Sequence, residues 1–430
     1  MAKIFRAYEP DQLLLLPPSL SDWVPEGHLA RFVSDVVDEL DLEGIEGSYE
    51  EERGQPPYHP RMMVKVLMYA YATGVYSSRR IARQLSDSVA FRYLGAGNSP
   101  DFRTLNAFRS RHGEALSGLF GQVLRMCSRA GLVKLGTVAV DGTKIKASAS
   151  KHKAMSYGRM KEAEEALQAQ GEELLRRAEE ADRQEDELYG ADKRGDELPE
   201  ELAHRESRLK KIREAKAALE QEAREKAAAE GKDPEKAKPR SGAQRNFTDS
   251  ESRIQKTSDG FIQGYNAQIA VDAHAQVIVA QHVTSAAPDV EELMPAVSAI
   301  GRVLGQRPAK VLADAGYWSE QNLQALATRG IDAYVAPRRY KHSEPLPPAP
   351  RGRIPNSLSA KDRMQRKLQT LAGRAIYAAR MILPEPVFGQ IKAARGFRQF
   401  LRRGLTAVGQ EWALICTTHN LLKLYQAQAA

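Results

Sequence analysis

The chain has 430 residues, 42% of them hydrophobic, which is more than one ordinary domain needs and enough for real cores. Its formal net charge of +8, from 63 Lys and Arg against 55 Asp and Glu, suits contact with a polyanion and equally fits ordinary solubility. The only two cysteines, Cys127 and Cys416, are isolated in sequence, which excludes a disulfide framework and favours a reducing cytosol. No apolar run approaches the roughly 20 residues that cross a bilayer, and the N-terminus lacks a signal-peptide pattern. We therefore expect a cytoplasmic protein without a membrane partner.

Residues 1–130 predict an all-α domain. Pro60 opens a periodic helical stretch, Ser77 or Ser78 can cap a second helix, and a third helix follows in SVAFRYLG. Short helices joined by Gly, Ser and Asn turns are how helix-turn-helix DNA binders are built. A helical bundle with a solvated basic face is an equally good interpretation, so DNA binding is a hypothesis for this domain.

The fourth helix of this domain, FRTLNAFRSRHGEAL, carries the candidates for contact with DNA. Asp101 can cap its N-terminus, and the helix places Arg103, Asn106 and Arg109 close together. Arg and Asn side chains can form paired hydrogen bonds with base edges. These three side chains are therefore the predicted DNA-binding residues of the domain.

Residues 151–245 predict a charged insertion that folds as a long antiparallel helical hairpin with a basic return linker. Apolar side chains recur at heptad positions, in Met160, Leu167, Leu174, Ala181 and Leu188 and then, after a break, in Leu202, Leu209, Ile212 and Leu219. Lys216 interrupts the second series, where it can bury its stem and keep its charge in water. The break YGADKRGDELP predicts the turn between the two helices. Such a hairpin could hold a protein partner, embrace DNA, or have no specific partner.

Residues 131–150 and 246–430 alternate strand-like and helix-like segments, which predicts one α/β domain interrupted by the insertion. A strand pattern in TVAV continues through TKIKA, and YNAQIAVDAHAQVIVAQHVT gives two strands with a turn near Asp272–Gln276. Helix, strand, helix and strand follow in VEELMPAVSAIGRVLG, KVLADAGY, SEQNLQALATRG and IDAYVAP. This order predicts a mixed sheet and is the order that ribonuclease-H-like nucleases use.

Asp141 and Asp314 each follow a short apolar strand run. A carboxylate at the end of a buried strand is held rigidly, and rigid oxygen ligands suit hard divalent metals such as Mg²⁺. Two such ions can assist the attack of water or a hydroxyl on a phosphodiester. Each Asp also has a plain structural interpretation, because Asp141-Gly142 is a standard hairpin turn and Asp314 could simply end a strand.

Glu385 is the candidate for a third acidic ligand. Pro386 suits the first turn of a helix, which places Glu385 at a helix N-terminus, and Lys392 follows seven residues later on the same helical face. Tyr377 and Arg380 lie just upstream. A carboxylate beside a row of cations fits a metal ligand flanked by phosphate-binding groups. A surface helix with a salt-bridging Glu is the alternative.

These motifs together resemble the bacterial insertion-sequence transposases that have a DDE catalytic core. The closest resemblance is to the type named, in words, insertion sequence eleven-eighty-two, within the four/five-like group. Tyr377, Arg380, Glu385 and Lys392 stand in the spacing of the family's C-terminal signature, with four residues between Arg and Glu where three are commonest. Pro384 occupies the three-residue position and cannot bind a metal, so Glu385 remains the match. Similar segments are VAVDGTKIKA, GYNAQIAVD, VLADAGYWSE, GFRQFLRRGL with EWALICTTHNLLKL, and HPRMMVKVLMYAYATGVYSSRRIA.

The resemblance implies the roles of individual residues. Asp141, Asp314 and Glu385 would be the catalytic and metal-binding carboxylates, acting with two Mg²⁺ ions or with Mn²⁺. Tyr377, Arg380 and Lys392 would contact DNA beside them. The chain is then expected to cut DNA at the terminal inverted repeats of an element and to join the freed ends to target DNA. Two ends must be paired, so we expect a homodimer or larger assembly on DNA, near the bacterial nucleoid.

Two alternatives to a transposase remain open at this level. The first is a ribonuclease-H-like nuclease that cuts DNA without joining it. The second is a catalytically inactive DNA-binding protein derived from a transposase, against which the three intact acids argue. A purely structural coiled-coil protein would explain residues 151–245 but not the strand segments around them.

Overall fold

A computed structural model describes residues 19–49, 56–150, 153–189, 200–257, 260–339, 347–355 and 357–428. The chain divides into two compact units. The first comprises Met1–Lys134, Ala394–Gly396 and Ala413–Ala430, and the second comprises Leu135–Ala393 and Phe397–Trp412. Within the described ranges, no helix combines the length and the apolar character that crossing a membrane requires.

The first unit is helical, as its sequence predicts. Its helices are α1 (Leu29–Glu39), α2 (Glu43–Glu46), α3 (Pro60–Ala72), α4 (Ser78–Asp87), α5 (Val89–Leu94), α6 (Phe102–Arg111) and α7 (Gly113–Arg129). Helix α3 begins at Pro60, whose fixed φ and missing N–H suit the first helical position. Nearly all of its side chains are buried, so α3 is the centre of this core.

The predicted fourth helix of this unit is two helices in the structure. Helix α6 ends at Arg111 and α7 begins at Gly113, because His112 between them leaves the helical backbone conformation. The His112 ring packs against Phe108 at a centroid distance of 4.7 Å and hydrogen-bonds Tyr49 at 3.1 Å. The sequence pattern did not predict this break, since the apolar spacing continues across it.

The second unit is a mixed α/β fold. Its strands are β1 (Thr137–Lys146), β2 (Ala154–Ser156), β3 (Gln244–Asn246), β4 (Arg253–Thr257), β5 (Gly260–Asp272), β6 (Ile278–Thr284), β7 (Lys310–Ala313) and β8 (Asp332–Val335). The main sheet has the order β4-β5-β1-β7-β8, with β6 also on β5, while β2 and β3 form a separate small sheet. Pairing is antiparallel between β1 and β5 and parallel from β1 through β7 to β8. The sheet is therefore mixed, as predicted.

Strand β1 runs straight through Asp141 and Gly142. Asp141 lies opposite Ile269 and Gly142 opposite Gln268 in one unbroken antiparallel register. The hairpin turn that an Asp-Gly pair allows is therefore not formed here. The turn between β5 and β6 falls at Asp272–Gln276, as the sequence predicts.

Two long helices, α8 (Tyr157–Tyr189) and α9 (Glu200–Ala229), pack on each other. Met160, Ile212 and Leu219 form their buried seam, and Tyr157 near the start of α8 bonds Glu220 near the end of α9, which is an antiparallel arrangement. Lys216 follows the buried Ala215 of this seam, is itself partly exposed, and forms an ion pair with Glu164 at 2.7 Å. The side chains of Leu174, Ala181, Leu188 and Leu202, and the predicted turn at 190–199, lie outside the described residues.

The remaining helices of the chain are α10 (Leu293–Leu304), α11 (Glu320–Thr328), α12 (Ala360–Gln369), α13 (Leu371–Ile382), α14 (Pro384–Gly389) and α15 (Leu405–Gln428). Short 3₁₀ turns occur at Leu20–Trp23, Pro234–Lys236 and Ala315–Tyr317, and a π-helical turn at Gln390–Ala394 follows α14. In the second unit, α13 and α14 contact β1, which brings C-terminal side chains to the centre of the sheet.

Candidate active site

Asp141 and Asp314 come together because their strands are neighbours. Strands β1 and β7 pair in parallel, and Asp314 follows the last residue of β7 directly. Arg380 of α13 lies between the two acids, with Nη2 at 3.2 Å from Asp141 Oδ2 and 3.7 Å from Asp314 Oδ2. All three side chains are largely buried, so one cation is shared by two carboxylates with little water around them.

The Asp141 carboxyl holds its proton more strongly than an ordinary Asp. Its pKa is raised from 3.8 to about 6, chiefly by burial and also by the nearby charges of Asp314 and Asp289, while Arg380 and the Gly142 N–H act in the opposite direction. The Gly142 N–H donates to Asp141 Oδ1 at 2.9 Å. The site is therefore rich in negative charge that a cation would stabilise.

Tyr377 and Lys392 contact the same two strands. Tyr377 donates its hydroxyl to the carbonyl oxygen of Ala313, directly before Asp314, at 3.2 Å. Lys392 donates from Nζ to Thr143 Oγ1 and, at 3.1 Å, to the Lys144 carbonyl on β1. Burial lowers the pKa of Lys392. Together with Arg380, these residues of the predicted signature surround the strand positions that carry the acids.

Glu385 is not part of this cluster in the structure. It is exposed in the first turn of α14, and within the described residues its side chain has neither a hydrogen bond nor an ion pair. Among those residues, no three His, Cys, Asp or Glu side chains are grouped closely enough to hold a metal ion. The structure therefore brings two of the three predicted carboxylates together and leaves Glu385 in solvent.

The turn after α14 explains why Glu385 and Lys392 differ. The α-helix ends at Gly389, and residues Gln390–Ala394 continue as a π-helical turn. A π turn holds more residues than an α turn, so Glu385 and Lys392 do not stand two turns apart on one regular α-helix. Lys392 reaches β1, whereas Glu385 remains exposed.

A polar network beside the acid pair was not predicted from the sequence. Asp289, between β6 and α10, accepts hydrogen bonds at Oδ1 from Asn266 Nδ2 at 2.6 Å and Gln268 Nε2 at 2.8 Å. Lys144 Nζ lies 3.4 Å from the same oxygen. Asn266 and Gln268 alternate on β5 within an otherwise apolar run, and two polar side chains on one face of a buried strand are the signal that could have revealed the network.

Gly142 makes room for this network. A Cβ at Gly142 would collide with Gln268 Nε2 and stand 3.0 Å from Asn266 Oδ1. The Tyr317 hydroxyl donates to Gln268 Oε1, and its pKa is raised well above the usual value by burial and by the neighbouring acids, so it stays a donor. Gly142 is therefore required for the close approach of Gln268 to β1.

The three predicted DNA-binding residues of α6 differ in exposure. Arg103 is exposed and lies over the Phe102 ring, 5.7 Å from its centroid, and Asn106 is also exposed. Arg109 is buried, and its guanidinium donates to Tyr71 Oη at 2.9 Å, the Tyr76 carbonyl at 2.9 Å and Ser78 Oγ at 2.5 Å. Arg109 thus ties α6 to α3 and α4, and these donors are directed into the protein.

Two protein-family models match the chain. Residues 18–111 match the transposase domain family DUF772, and residues 207–421, half of the chain, match the family described as transposase DDE domain. A putative transposase for insertion sequence element IS402 from Burkholderia cepacia is 36% identical over 89 residues. That match covers 19% of this chain and 42% of the relative, so the chain spans less than half of this relative's length. No solved structure matches the chain significantly.

Proposed function

Because the chain belongs to the family of transposases with a DDE domain, we propose that it is a DNA transposase of an insertion sequence. It would cut DNA at the terminal inverted repeats of its element and join the freed ends to target DNA. The observation that carries this proposal is the Asp141–Asp314 pair, held on neighbouring strands and bridged by Arg380. We also propose that this insertion sequence is of the type named, in words, eleven-eighty-two.

The acid pair fits a divalent cation in its chemistry. Carboxylate oxygens are the donors that Mg²⁺ and Mn²⁺ prefer, and Mg²⁺ is commonly held by one or two carboxylates together with water and substrate phosphates. The Arg380 guanidinium already places positive charge against both acids. Asp141 and Asp314 would hold the cation, with Glu385 as a third ligand and with two ions in the complete site. When bound, such ions supply Lewis-acid activation of the attacking oxygen and stabilise the leaving oxygen.

The surrounding side chains have separate tasks in this proposal. Arg380 offers donors to phosphate oxygens beside the acids, and its planar guanidinium can bind a phosphate through two hydrogen bonds. Lys392 fixes β1 at Thr143 and Lys144, next to Asp141. Tyr377 fixes the last residue of β7 before Asp314. No covalent protein–DNA intermediate is required, so Tyr377 is a positioning and DNA-contacting residue rather than a nucleophile.

Each region of the chain has a role in this proposal. Residues 1–130 would bind the terminal repeats, with Arg103 and Asn106 as exposed candidates for DNA contact. Within residues 131–150 and 246–430, the parts that belong to the second unit would form a ribonuclease-H-like catalytic domain, interrupted by the helical hairpin of 151–245, whereas Ala394–Gly396 and Ala413–Ala430 belong to the first unit. Pairing of two DNA ends requires a dimer or larger assembly, acting at the bacterial nucleoid. If deletion of 155–240 leaves the assembly state on DNA unchanged, the hairpin is not the element that holds it.

A strand-transfer assay tests the proposed function. The purified chain is incubated with Mg²⁺, a target plasmid, and DNA carrying the terminal repeats that flank its gene, pre-cut to leave a free 3′-hydroxyl. The proposal expects joined products from the wild-type chain and none from Asp141→Asn. Cleavage of uncut repeats without joined products would identify a nuclease instead. Sequence-specific binding with neither reaction would identify an inactive DNA-binding relative.

A further inference from the structure

The two oxygens of Asp289 have different surroundings. Oδ1 accepts from Asn266, Gln268 and Lys144, whose polar atoms lie 2.6, 2.8 and 3.4 Å away. Oδ2 has no hydrogen bond within the described residues. It lies 3.3 Å from the point where a Cβ on Gly316 would stand, and Asp314 Oδ1 lies 2.9 Å from that same point. One oxygen is therefore held by three donors, and the other lies beside Gly316, on the side where Asp314 Oδ1 also lies.

The donors of Asp289 belong to the strands that position Asp141. Lys144 follows Asp141 on β1, and Asn266 and Gln268 lie opposite Lys144 and Gly142 on β5. Asn266 and Gln268 are fully buried amides, which are costly in a core unless their hydrogen bonds are made. A charged acceptor offsets that cost better than a neutral one, because hydrogen bonds to an ionised group are stronger. This part of the sheet is thus organised around the Asp289 carboxylate.

The charge balance of the site favours a bound cation. In the ion pairs of the site, the three carboxylates of Asp141, Asp314 and Asp289 are paired with only two cations, Arg380 and Lys144, while Lys392 binds β1 at Thr143 and the Lys144 carbonyl. Since no three acids in the described ranges are close enough to share one ion, Asp289 acts from outside the ligand pair.

We propose that Asp289 is a positioning residue of the active site. Held by Lys144, Asn266 and Gln268, it places a third negative charge beside Asp141 and Asp314 and thereby increases their affinity for a divalent cation. The inference rests on the proposed function, because it assigns the cation to the Asp141–Asp314 pair. The proposal assigns a role to a residue in the loop between β6 and α10, where the sequence has no recognisable motif.

Binding of Mn²⁺ alone to the full chain, without DNA, tests this proposal. Isothermal titration would compare wild type with Asp289→Asn, which keeps the side-chain shape and removes one charge. Partners of metal ligands typically change metal affinity by about 10- to 100-fold, so we expect Mn²⁺ to bind Asp289→Asn about tenfold more weakly. Asp289→Glu, which keeps the charge, should stay within about threefold of wild type. Glu291→Gln, which removes an exposed carboxylate two residues away, should bind Mn²⁺ like wild type.

A second measurement separates an effect on cation binding from a loss of structure. The rate of DNA cleavage is followed against Mn²⁺ concentration. If Asp289 acts through the cation, Asp289→Asn needs about tenfold more Mn²⁺ for half its maximal rate and approaches the wild-type rate at saturation. A variant that is merely misfolded stays slow at every Mn²⁺ concentration, and its thermal midpoint falls.

The outcomes distinguish this inference from the proposed function. Wild-type Mn²⁺ affinity in Asp289→Asn, together with weakened binding in Asp141→Asn, would overturn the role of Asp289 and leave the acid pair in place. If Asp141→Asn also binds Mn²⁺ with wild-type affinity, the acid pair does not hold the cation, and the proposed function is contradicted as well. A rate for Asp289→Asn that excess Mn²⁺ cannot restore, in a protein of normal thermal midpoint, would also overturn the inference.

Discussion

The Asp141–Asp314 pair and the α14 helix of Glu385 present two kinds of acidic position. Asp141 lies in a strand that is hydrogen-bonded on both sides, and Asp314 follows the neighbouring strand. Glu385 is the second residue of a short helix, exposed and without a described partner. Sheet register fixes the first two side chains before any substrate arrives, whereas nothing in the described structure fixes the third. We therefore infer that the site is half formed in the free protein.

The largest expected effect is on the strand-held pair. Asp141→Asn or Asp314→Asn should each slow DNA cleavage at least about 1,000-fold, because stabilisation by a cation amounts to several kcal/mol of the barrier. Gel assays with terminal-repeat DNA measure this loss. Asp332→Asn is the matched control, since Asp332 is also a strand residue paired with a cation, Lys367, and should retain activity. Comparable activity in all three variants would remove the pair from the catalytic site.

Glu385→Gln should separate the two kinds of position. With DNA, cleavage should fall at least about 100-fold if Glu385 joins the site as a ligand. Without DNA, its Mn²⁺ affinity should remain within about twofold of wild type, because Glu385 does not contact the acid pair in the free protein. Asp314→Asn should lose affinity in the same titration. Weakened Mn²⁺ binding by Glu385→Gln without DNA would show that the third carboxylate is already in place.

The elements that could be predicted from the sequence are those that a local residue pattern determines. Apolar strand runs predicted β1 and β7, and with them the approach of Asp141 and Asp314. Whether β1 continues through Asp141-Gly142 or turns there could not be predicted from the local sequence. The residues that pack closely against Gly142, Gln268 and Asn266, are distant along the chain. Asp289 was missed because it lies in a loop and owes its position to donors on other strands.

Burial and helix register were harder to predict than the elements themselves. Arg109 has the residue type and spacing of a base contact, yet tertiary packing places Tyr71 and Ser78 around its guanidinium. The π-helical turn at Gln390–Ala394 interrupts the regular α-helical spacing between Glu385 and Lys392. No residue pattern in that segment predicts this turn. Both outcomes depend on packing partners that are distant along the chain.

Gly142→Ala should destabilise the strand-held side of the site. The added methyl group collides with Gln268, which is buried and hydrogen-bonded and therefore cannot move without loss. Overpacking of this kind typically costs about 1–3 kcal/mol of the free energy of unfolding, measured by urea denaturation. Gly136→Ala is the control, because a Cβ there meets no atom within 4 Å. Equal stability of the two variants would contradict the close approach of Gln268 to β1.

The smallest expected effect is a stability gain that depends on pH. The pKa of Asp141 is raised from 3.8 to about 6 in the folded chain, so the folded state binds a proton more tightly than the unfolded state does. This ionised carboxyl lowers the stability above about pH 6, and the cost disappears as the pH falls towards 4. In metal-free buffer, Asp141→Asn should therefore be on the order of 1–2 kcal/mol more stable than wild type at pH 8, with the difference shrinking at pH 4–5. Lower stability of the variant at pH 8 would contradict the buried, charge-rich environment of Asp141.

Iron-mediated cleavage of the protein backbone tests the central assignment most directly. Fe²⁺ replaces Mg²⁺, and hydroxyl radicals generated at the bound ion by ascorbate and peroxide cut the chain nearby. If Asp141 and Asp314 hold the cation, the fragments map to the segments around these two residues. Excess Mg²⁺ suppresses them, and a variant with Asp141→Asn and Asp314→Asn together does not produce them. Cuts elsewhere in the chain, or the same fragments from that double variant, would contradict the account.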